Sequence, residues 1–546
     1  MASPPRRRFR CALRAHPPDP ARERGRSRSA RGLALALTLT TVVWAALTPA
    51  GGAWAHPGLE TAIQDDVTFQ DRPPDQVLQA IDQVRALGID RVRLTASWST
   101  LAPDPESLSR PPFDASDPAA YDQSQWRELD FAVRAAQAAG LKMMIDIGAW
   151  APRWAAGGPG PRARDEIDAS AFGQFAQAVA RRYSGSFVPP GQTGGDVPLP
   201  RVDMFTLWNE PNHPAFLLPQ WSVRASHRVP ASPAEYRHMV DQAYGAMKAV
   251  QPSSTVLVGN TSSFGGRGPN DPVAPLEFLR ALACVNARLR PLRTPDCRAF
   301  HRVPGDGWAH HPYSLTGTPA KTAEPGHPDD IYMGNLSRLA RTLDRLVAMR
   351  RLAPGMRSIY ITEYGYETHA LLDRPALPQN KQALYLTWGE YLASRIPNVR
   401  LFSQFLLRDQ PPAPTVVSDS PRRPNGQFYS GLEEANGTPK LAVHSFVAGL
   451  FATRATRGTT LLWGRLRLGP RTYEVVIDHR SHHGPWRLVP TSSRPGRRPV
   501  RSFELAGQDS FTRYGARGRG QYRLRYRPLG GTWTMGLPIP FVARAR

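Results

Sequence analysis

Two glutamates each lie in a short polar segment that directly follows an apolar run. Glu210 is in the segment WNEPN at 208–212, and Glu363 is in the segment TEYG at 362–365. Hydrolysis of a glycosidic bond needs two such carboxyl groups, one protonated to donate to the leaving oxygen and one ionised to attack carbon or activate water. The alternatives are a helix-start acid for Glu210, favoured by the helix dipole, and an exposed turn acid for Glu363.

The elements that would position these glutamates alternate between short apolar runs and amphipathic segments with helical spacing. This alternation over residues 56–451 predicts a (β/α)8 TIM barrel, with an open doubly wound sheet as the alternative. The predicted strands are 59–69, 91–94, 142–147, 204–208, 256–259, 308–311, 358–362 and 399–405. The predicted helices are 74–87, 126–139, 233–250, 333–351 and 379–396.

Barrel enzymes carry their active sites at the carboxyl ends of the strands. Glu210 follows the fourth predicted strand and Glu363 the seventh, so the two carboxyl groups are expected to face each other across the barrel mouth. After residue 451 the pattern changes to short alternating strands separated by turns. Residues 452–546 are therefore predicted to form a small all-β, sandwich-like accessory domain.

The two glutamate segments, taken in this order, resemble clan A of the glycoside hydrolases, the 4/7 superfamily. The similarity is closest to the cellulase-like family 5 or the xylosidase-like family 39, and it covers about residues 57–437. The resemblance implies a retaining β-glycosidase that acts on a poly- or oligosaccharide. Glu210 would be its general acid/base and Glu363 its nucleophile.

The same resemblance implies a supporting set of polar residues. Asn209 would hydrogen-bond the sugar 2-hydroxyl, and His311 would line the catalytic subsite. Arg93 would lie under Glu363 and lower the pKa of its carboxyl, while Tyr313 would orient that carboxyl by a hydrogen bond. The alternatives are a structural ion-pair partner for Arg93 and a wall residue for Tyr313.

Aromatic rings stack on sugar faces, so tryptophans near the strand ends are candidate substrate contacts. Trp150 and Trp154 are the preferred candidates because they follow the third strand in a loop rich in Pro and Gly. Paired Cys-x-x-Cys and Gly-x-Ser-x-Gly segments are absent from the sequence, and no metal site, cofactor or serine nucleophile is predicted.

The net charge of +24 is unevenly distributed along the chain. Residues 1–55 carry ten Arg and two acidic residues, and residues 438–546 carry 20 Lys and Arg with four acidic residues. The remaining 39 basic and 39 acidic residues balance, so the barrel has no bias toward a polyanion and no nucleic-acid partner is expected. The basic module could bind an anionic cell-wall surface, or its arginines could simply cover a solvated face.

The N-terminus has the composition of an export signal. An Arg-rich stretch precedes an apolar run at 33–47, and Ala53-Trp54-Ala55 fits a signal-peptidase site. Residues 1–55 are therefore predicted to be a signal peptide of a secreted or cell-surface protein with no membrane contact after cleavage; an uncleaved anchor is the alternative. Export would allow a disulfide between Cys284 and Cys297, the alternative being two free thiols.

A different class of function is also compatible with these features. The chain could be a non-catalytic glycan- or cell-wall-binding protein that retains a glycosidase barrel. The complete carboxylate pair argues against this alternative, because a binding protein needs neither an acid nor a nucleophile.

Overall fold

The computed structural model describes residues 59–158, 163–191, 197–369, 376–411, 428–455, 458–516 and 518–543. The predicted signal peptide, residues 1–55, lies outside the described residues. Among the described helices, none is long and apolar enough to cross a membrane.

Eight parallel strands close into a barrel, because the first strand pairs with the eighth as well as with the second. This confirms the predicted TIM barrel and excludes the open sheet, which would leave two edges. The strands are β1 (Glu60–Gln64), β2 (Arg91–Ala96), β3 (Lys142–Ile147), β4 (Met204–Leu207), β5 (Thr255–Thr261), β6 (Gly307–His310), β7 (Ile359–Ile361) and β8 (Val399–Phe405).

Helices cover the outside of the barrel and pack on it through apolar faces. In α8, for example, Leu336, Leu339, Leu343 and Leu346 recur every three or four residues and are all buried. The helices are α1 (Asp66–Gln70), α2 (Pro74–Ala86), α3 (Trp98–Leu101), α4 (Arg127–Ala138), α5 (Ala169–Arg182), α6 (Ser232–Val250), α7 (Pro275–Leu282), α8 (Leu336–Ala348), α9 (Gln379–Ser394) and α10 (Leu441–Val447).

Two local differences from the sequence expectations have simple causes. The first predicted strand, 59–69, ends at Gln64, because the Asp65 side chain accepts the Thr68 amide and caps α1. The crossover helix α5 was not predicted. It was missed although Ser170, Gln174, Gln177 and Arg181 recur at helical spacing along its less buried side.

Inside the barrel, an apolar layer closes the end opposite the catalytic mouth. Its members are Ala62, Met144, Met204, Leu257, Ala309 and Leu401. Side chains alternate along a strand, so the inward residue that follows Met144 on β3 is Asp146. Arg93 occupies the matching level of β2, where it pairs with Met144 in the sheet register. Asp146 therefore stands directly above this apolar layer, and Arg93 borders it.

The C-terminal segment forms an all-β module of antiparallel strands, as predicted, arranged in a four-stranded and a six-stranded sheet. Its first strand begins at Ala448, directly after α10, and thus crosses the expected boundary at 451/452. The strands are β9 (Ala448–Arg454), β10 (Thr460–Leu466), β11 (Thr472–Arg480), β12 (Arg487–Leu488), β13 (Thr491–Ser492), β14 (Phe503–Ala506), β15 (Ser510–Gly515), β16 (Gln521–Pro528), β17 (Thr534–Met535) and β18 (Ile539–Pro540).

The module and the barrel share one apolar cluster. Trp388 and Tyr391 of α9 pack on Phe451 of β9, with ring centroids 5.4 and 4.9 Å apart. Beside them Glu390, which is buried, accepts from Arg465 at 2.7 Å and from Arg467 at 2.6 Å. These guanidinium groups lower the pKa of Glu390 although burial opposes them, so the carboxylate stays ionised at the interface.

Replacement of Glu390 by Gln is expected to cost about 3 kcal/mol of unfolding free energy or more, because two largely buried guanidinium groups lose their counter-ion. Urea denaturation followed by tryptophan fluorescence measures this loss. Asp344→Asn is the matched control, since Asp344 forms a half-exposed pair with Arg357 that should contribute below about 1 kcal/mol. Equal losses in the two variants would contradict the proposed importance of the buried triad.

Candidate active site

A tight turn after β4 directs Glu210 into the barrel mouth. Trp208 and Glu210 both have positive φ, 62° and 37°, a conformation that non-glycine residues adopt rarely and mainly at functional sites. The Glu210 amide donates to the Asn260 carbonyl at 3.0 Å and so ties the turn to the end of β5.

Glu363, directly after Thr362 at the end of β7, is held by two donors. Arg93 Nη1 donates to Glu363 Oε1 at 2.9 Å, and the Tyr313 hydroxyl donates to Oε2 at 3.1 Å. Arg93 also pairs with Asp146 at 3.1 Å and is fully buried. One guanidinium therefore lies between two carboxylates in the barrel interior.

Burial raises the pKa of Glu363, while His311, Arg93 and the Tyr313 hydrogen bond lower it and Glu210 raises it further. The contribution of Arg93 has the expected sign, but the net direction is upward because desolvation is the largest cause. Burial also raises the pKa of Tyr313 well above its ordinary value, so its hydroxyl remains protonated and available as a donor.

His311 lies between the two glutamates. Its Nδ1 is 2.9 Å from Glu210 Oε1 and 3.5 Å from Glu363 Oε2. Burial lowers the pKa of His311 to about 4, so the ring is neutral at pH 7. Burial likewise raises the pKa of Glu210, with His213 and Arg93 opposing it, which favours the protonated acid.

Asn209 adjoins Glu210 and its Oδ1 accepts from Asn260 Nδ2 at 3.2 Å. Sequence reasoning missed Asn260 and Asp146, although both belong to this network. Asp146 is a single polar residue within an apolar run, and Asn260 begins the polar segment that follows one. That signal marks a barrel-lining side chain, but its partners become apparent only when the barrel closes.

The two candidate tryptophans lie in different surroundings. Trp150 stacks on Phe216, with centroids 5.8 Å apart, and donates to the Ala215 carbonyl in the segment that follows Glu210. Trp154 donates to the Pro103 carbonyl and packs edge-on against Trp98. Protein groups thus contact Trp154 on several sides, and no described contact joins it to Glu210 or Glu363.

Two further clusters lie outside the carboxylate site. Cys284 and Cys297 form a disulfide with Cα atoms 5.6 Å apart. His369, Asp409 and Glu434 bring three potential metal-ligating atoms within 4.8 Å of one another. However, the buried Lys440 ammonium contacts both Asp409 oxygens, at 2.7 and 2.6 Å, and supplies the positive charge that these groups need.

A closed barrel with two largely buried carboxyl groups at its mouth, after the fourth and seventh strands, has the architecture of a clan A glycoside hydrolase. The family model described as Cellulase (glycosyl hydrolase family 5) matches residues 55–330, half of the chain. The chain belongs to this family and is a glycoside hydrolase. No curated protein sequence matches the chain significantly.

Solved structures with a similar fold include a family 39 glycoside hydrolase from Bacteroides cellulosilyticus WH2 (15% identity, TM-score 0.46, covering 84% of this chain and 81% of that one). A monomeric β-xylosidase from Caulobacter crescentus CB15 gives 15% identity, TM-score 0.43 and coverage of 84% and 96%. An FMN-binding β-glucuronidase from Facaelibacterium prausnitzii L2-6 gives 12%, 0.40, and coverage of 90% and 57%, so this chain spans little more than half of that protein. These similarities concern the fold alone.

Replacement of Arg93 by Met is expected to shift the acid limb of the kcat/KM profile toward higher pH. The guanidinium lowers the pKa of Glu363, so its loss raises that pKa and protonates the carboxylate at pH values where it is now ionised. At pH values on the acid side of the limb, kcat/KM of the variant should be about tenfold or more lower than that of the wild type.

Arg91→Met is the matched control for this experiment. Arg91 is buried on the same strand, but it pairs with Glu60 and Asp203 toward the other end of the barrel. An equal shift of the acid limb in both variants would refute a specific effect of Arg93 on Glu363.

Proposed function

We propose that the protein is a secreted, retaining β-glycosidase that hydrolyses a poly- or oligosaccharide, with Glu210 as acid/base and Glu363 as nucleophile. The observation that carries this proposal is the shared contact with His311. Glu210 Oε1 and Glu363 Oε2 lie 2.9 and 3.5 Å from the same nitrogen. Because both oxygens are this close to one nitrogen, the distance between them is shorter than the about 6.5–9.5 Å that separates the two carboxyl groups of inverting enzymes. This supports retention of configuration.

In the first step, Glu363 attacks the anomeric carbon and displaces the leaving oxygen, to which Glu210 transfers its proton. In the second step, Glu210, now a carboxylate, removes a proton from water, and the resulting hydroxide displaces Glu363 from the sugar. Arg93 and Tyr313 stabilise the Glu363 carboxylate before attack and after release. Asn209, His311 and Trp150 are assigned to substrate binding, and Trp154 to a more distant aromatic wall.

The alternative, a glycan-binding protein without turnover, is less well supported. In such a protein, selection for binding would not maintain a protonated carboxyl group together with a second one beside a buried guanidinium. Burial of both groups costs free energy that binding alone does not require.

Glu210→Gln and Glu363→Gln are each expected to reduce hydrolysis of aryl β-glycosides or polysaccharides by at least about a thousandfold, because Glu363 is the attacking group and Glu210 transfers the proton in both steps. Proton NMR of the first-formed product should show the anomeric configuration of the substrate. Glu367→Gln is the control: Glu367 lies four residues beyond the nucleophile. Full activity in both catalytic variants, or a product of inverted configuration, would refute the proposal.

We also propose that the C-terminal module binds an anionic glycan of the cell surface through the outer face of its six-stranded sheet. Every second residue of β16 from 523 to 527 is an arginine on this face. The side chains of Arg523, Arg525 and Arg527 are 18%, 25% and 33% exposed, respectively. Trp486 stacks under Arg523 at 4.3 Å, and Trp533 under Arg527 at 4.4 Å. Guanidinium groups suit carboxylate or phosphate, and indole rings suit sugar faces.

Asp478 and Glu474 neutralise part of this charge, so the proposal depends on the excess of arginine in the module. A stack of arginine and tryptophan that only stabilises the sheet is the alternative. Export would bring this face to the cell surface, and the predicted signal peptide supports it.

Protein recovered from the culture medium or cell wall is expected to begin at His56, as measured by N-terminal sequencing. Purified protein with Arg523→Ala and Arg527→Ala should lose co-sedimentation with an insoluble acidic polysaccharide by about tenfold or more. The control, Arg341→Ala with Arg345→Ala, removes the same charge from the exposed side of α8. Equal co-sedimentation of the wild type, this variant and the control would indicate that the arginines have a purely structural role.

A further inference from the structure

Asn260 is a fully buried residue at the carboxyl end of β5, and it contacts both sides of the catalytic site. Its backbone has a φ of 48°, a conformation that asparagine tolerates better than most residues. The side-chain amide meets groups from β3, β4, β6 and β7. Sequence reasoning and the family match assign it no role.

The surroundings determine which way this amide points. The amide nitrogen faces three oxygens: the Trp208 carbonyl at 3.0 Å, Asp146 Oδ1 at 3.2 Å and Asn209 Oδ1 at 3.2 Å. The opposite orientation would place the Asn260 oxygen against a carbonyl and a carboxylate, neither of which can donate. Asn260 Oδ1 is therefore the atom that faces His311 and Thr362.

This orientation determines the tautomer of His311. Asn260 Oδ1 lies 3.0 Å from His311 Nε2 and 2.7 Å from the Thr362 hydroxyl, and an amide oxygen can only accept. His311 must therefore carry its proton on Nε2 and donate it to Asn260. In the neutral ring Nδ1 is then a bare acceptor, and this is the atom 2.9 Å from Glu210 Oε1.

A bare nitrogen and an ionised carboxylate would repel each other at this distance, whereas a protonated carboxyl group donates to the nitrogen. We propose that Asn260 is a positioning residue that fixes the Nε2–H tautomer of His311 and thereby keeps the acid proton on Glu210 in the resting enzyme. The inference rests on the proposed function of Glu210. It explains how Glu210 stays protonated, as general-acid catalysis requires.

Other charged or titratable groups also act on this pair. Glu363 Oε2 lies 3.5 Å from the same Nδ1, and the Tyr313 ring packs edge-on against His311. Arg93, which pairs with Glu363 and Asp146, lowers the pKa of His311 by its charge. His213 interacts with Glu210 from the β4 loop, and His310 adjoins His311 on β6. The two carboxyl groups face Nδ1, whereas in the described structure none of these groups contacts Nε2, where Asn260 Oδ1 is the acceptor.

The test uses the full-length protein labelled with 15N-histidine, with the His311 signals assigned by their loss in His311→Gln. At pH 7 the wild type should show a protonated Nε2 and a bare Nδ1. In Asn260→Gly, which accepts the positive φ without strain and removes the amide, a substantial Nδ1–H population should appear. Asn260→Ala serves the same purpose if the glycine variant is unstable.

The pH profile supplies the second measurement. In Asn260→Gly the alkaline limb of kcat/KM, which reports loss of the Glu210 proton, should move about one pH unit toward acid, since the hydrogen bond that favoured the protonated acid is no longer enforced. Thr362→Val is the control: it removes the other donor to Asn260 Oδ1, and both the tautomer and the limb should stay unchanged.

A wild-type His311 that carries its proton on Nδ1, or an Asn260→Gly variant with unchanged tautomer and alkaline limb, overturns the inference. Shifts of equal size in Thr362→Val would also overturn it, because they would indicate general disturbance of the site. If the wild type hydrolyses no glycoside, the proposed function fails instead, and the NMR measurement still decides the role of Asn260 in the tautomer.

Discussion

The buried Arg93 guanidinium is the charge around which the rest of the barrel interior is organised. It is always protonated in proteins, so its burial must be matched by negative charge close by. Asp146 and Glu363 supply that charge from β3 and β7. Strands from opposite parts of the barrel are thereby linked through one side chain beside the apolar layer, and Glu363 is part of the structural core.

The two glutamates illustrate how similar burial can be combined with different hydrogen-bond partners. Burial raises the pKa of both. Glu363 has a permanent cation and a phenol hydroxyl as partners, which stabilise the ionised form. Glu210 has a neutral imidazole nitrogen as its close partner, which stabilises the protonated form. In the proposed mechanism, the difference between nucleophile and acid therefore lies in the hydrogen-bond partners, while the degree of burial is similar.

Much of the fold was accessible from sequence because apolar runs and helical periodicity are local signals. All eight barrel strands were located, and the ends of β4 and β7 were enough to identify Glu210 and Glu363 as candidates. Asn260 and Asp146 were not identified as candidates, since their importance depends on distances across the closed barrel. The expected boundary at 451/452 also fell inside β9. β9 directly continues α10, and its apolar sequence fits a helix as well as a strand.

The joint between α9 and the β-module affects how this protein can change over evolutionary time. α9 follows β7, the strand that ends at the nucleophile, and its outer face is covered by Phe451 and Trp463 of the module. Accessory domains joined by a linker can be exchanged between genes without damage to their neighbours. Here a recombination event that replaced the module would strip the apolar cover from a barrel helix. The two parts are therefore expected to be inherited together as one unit.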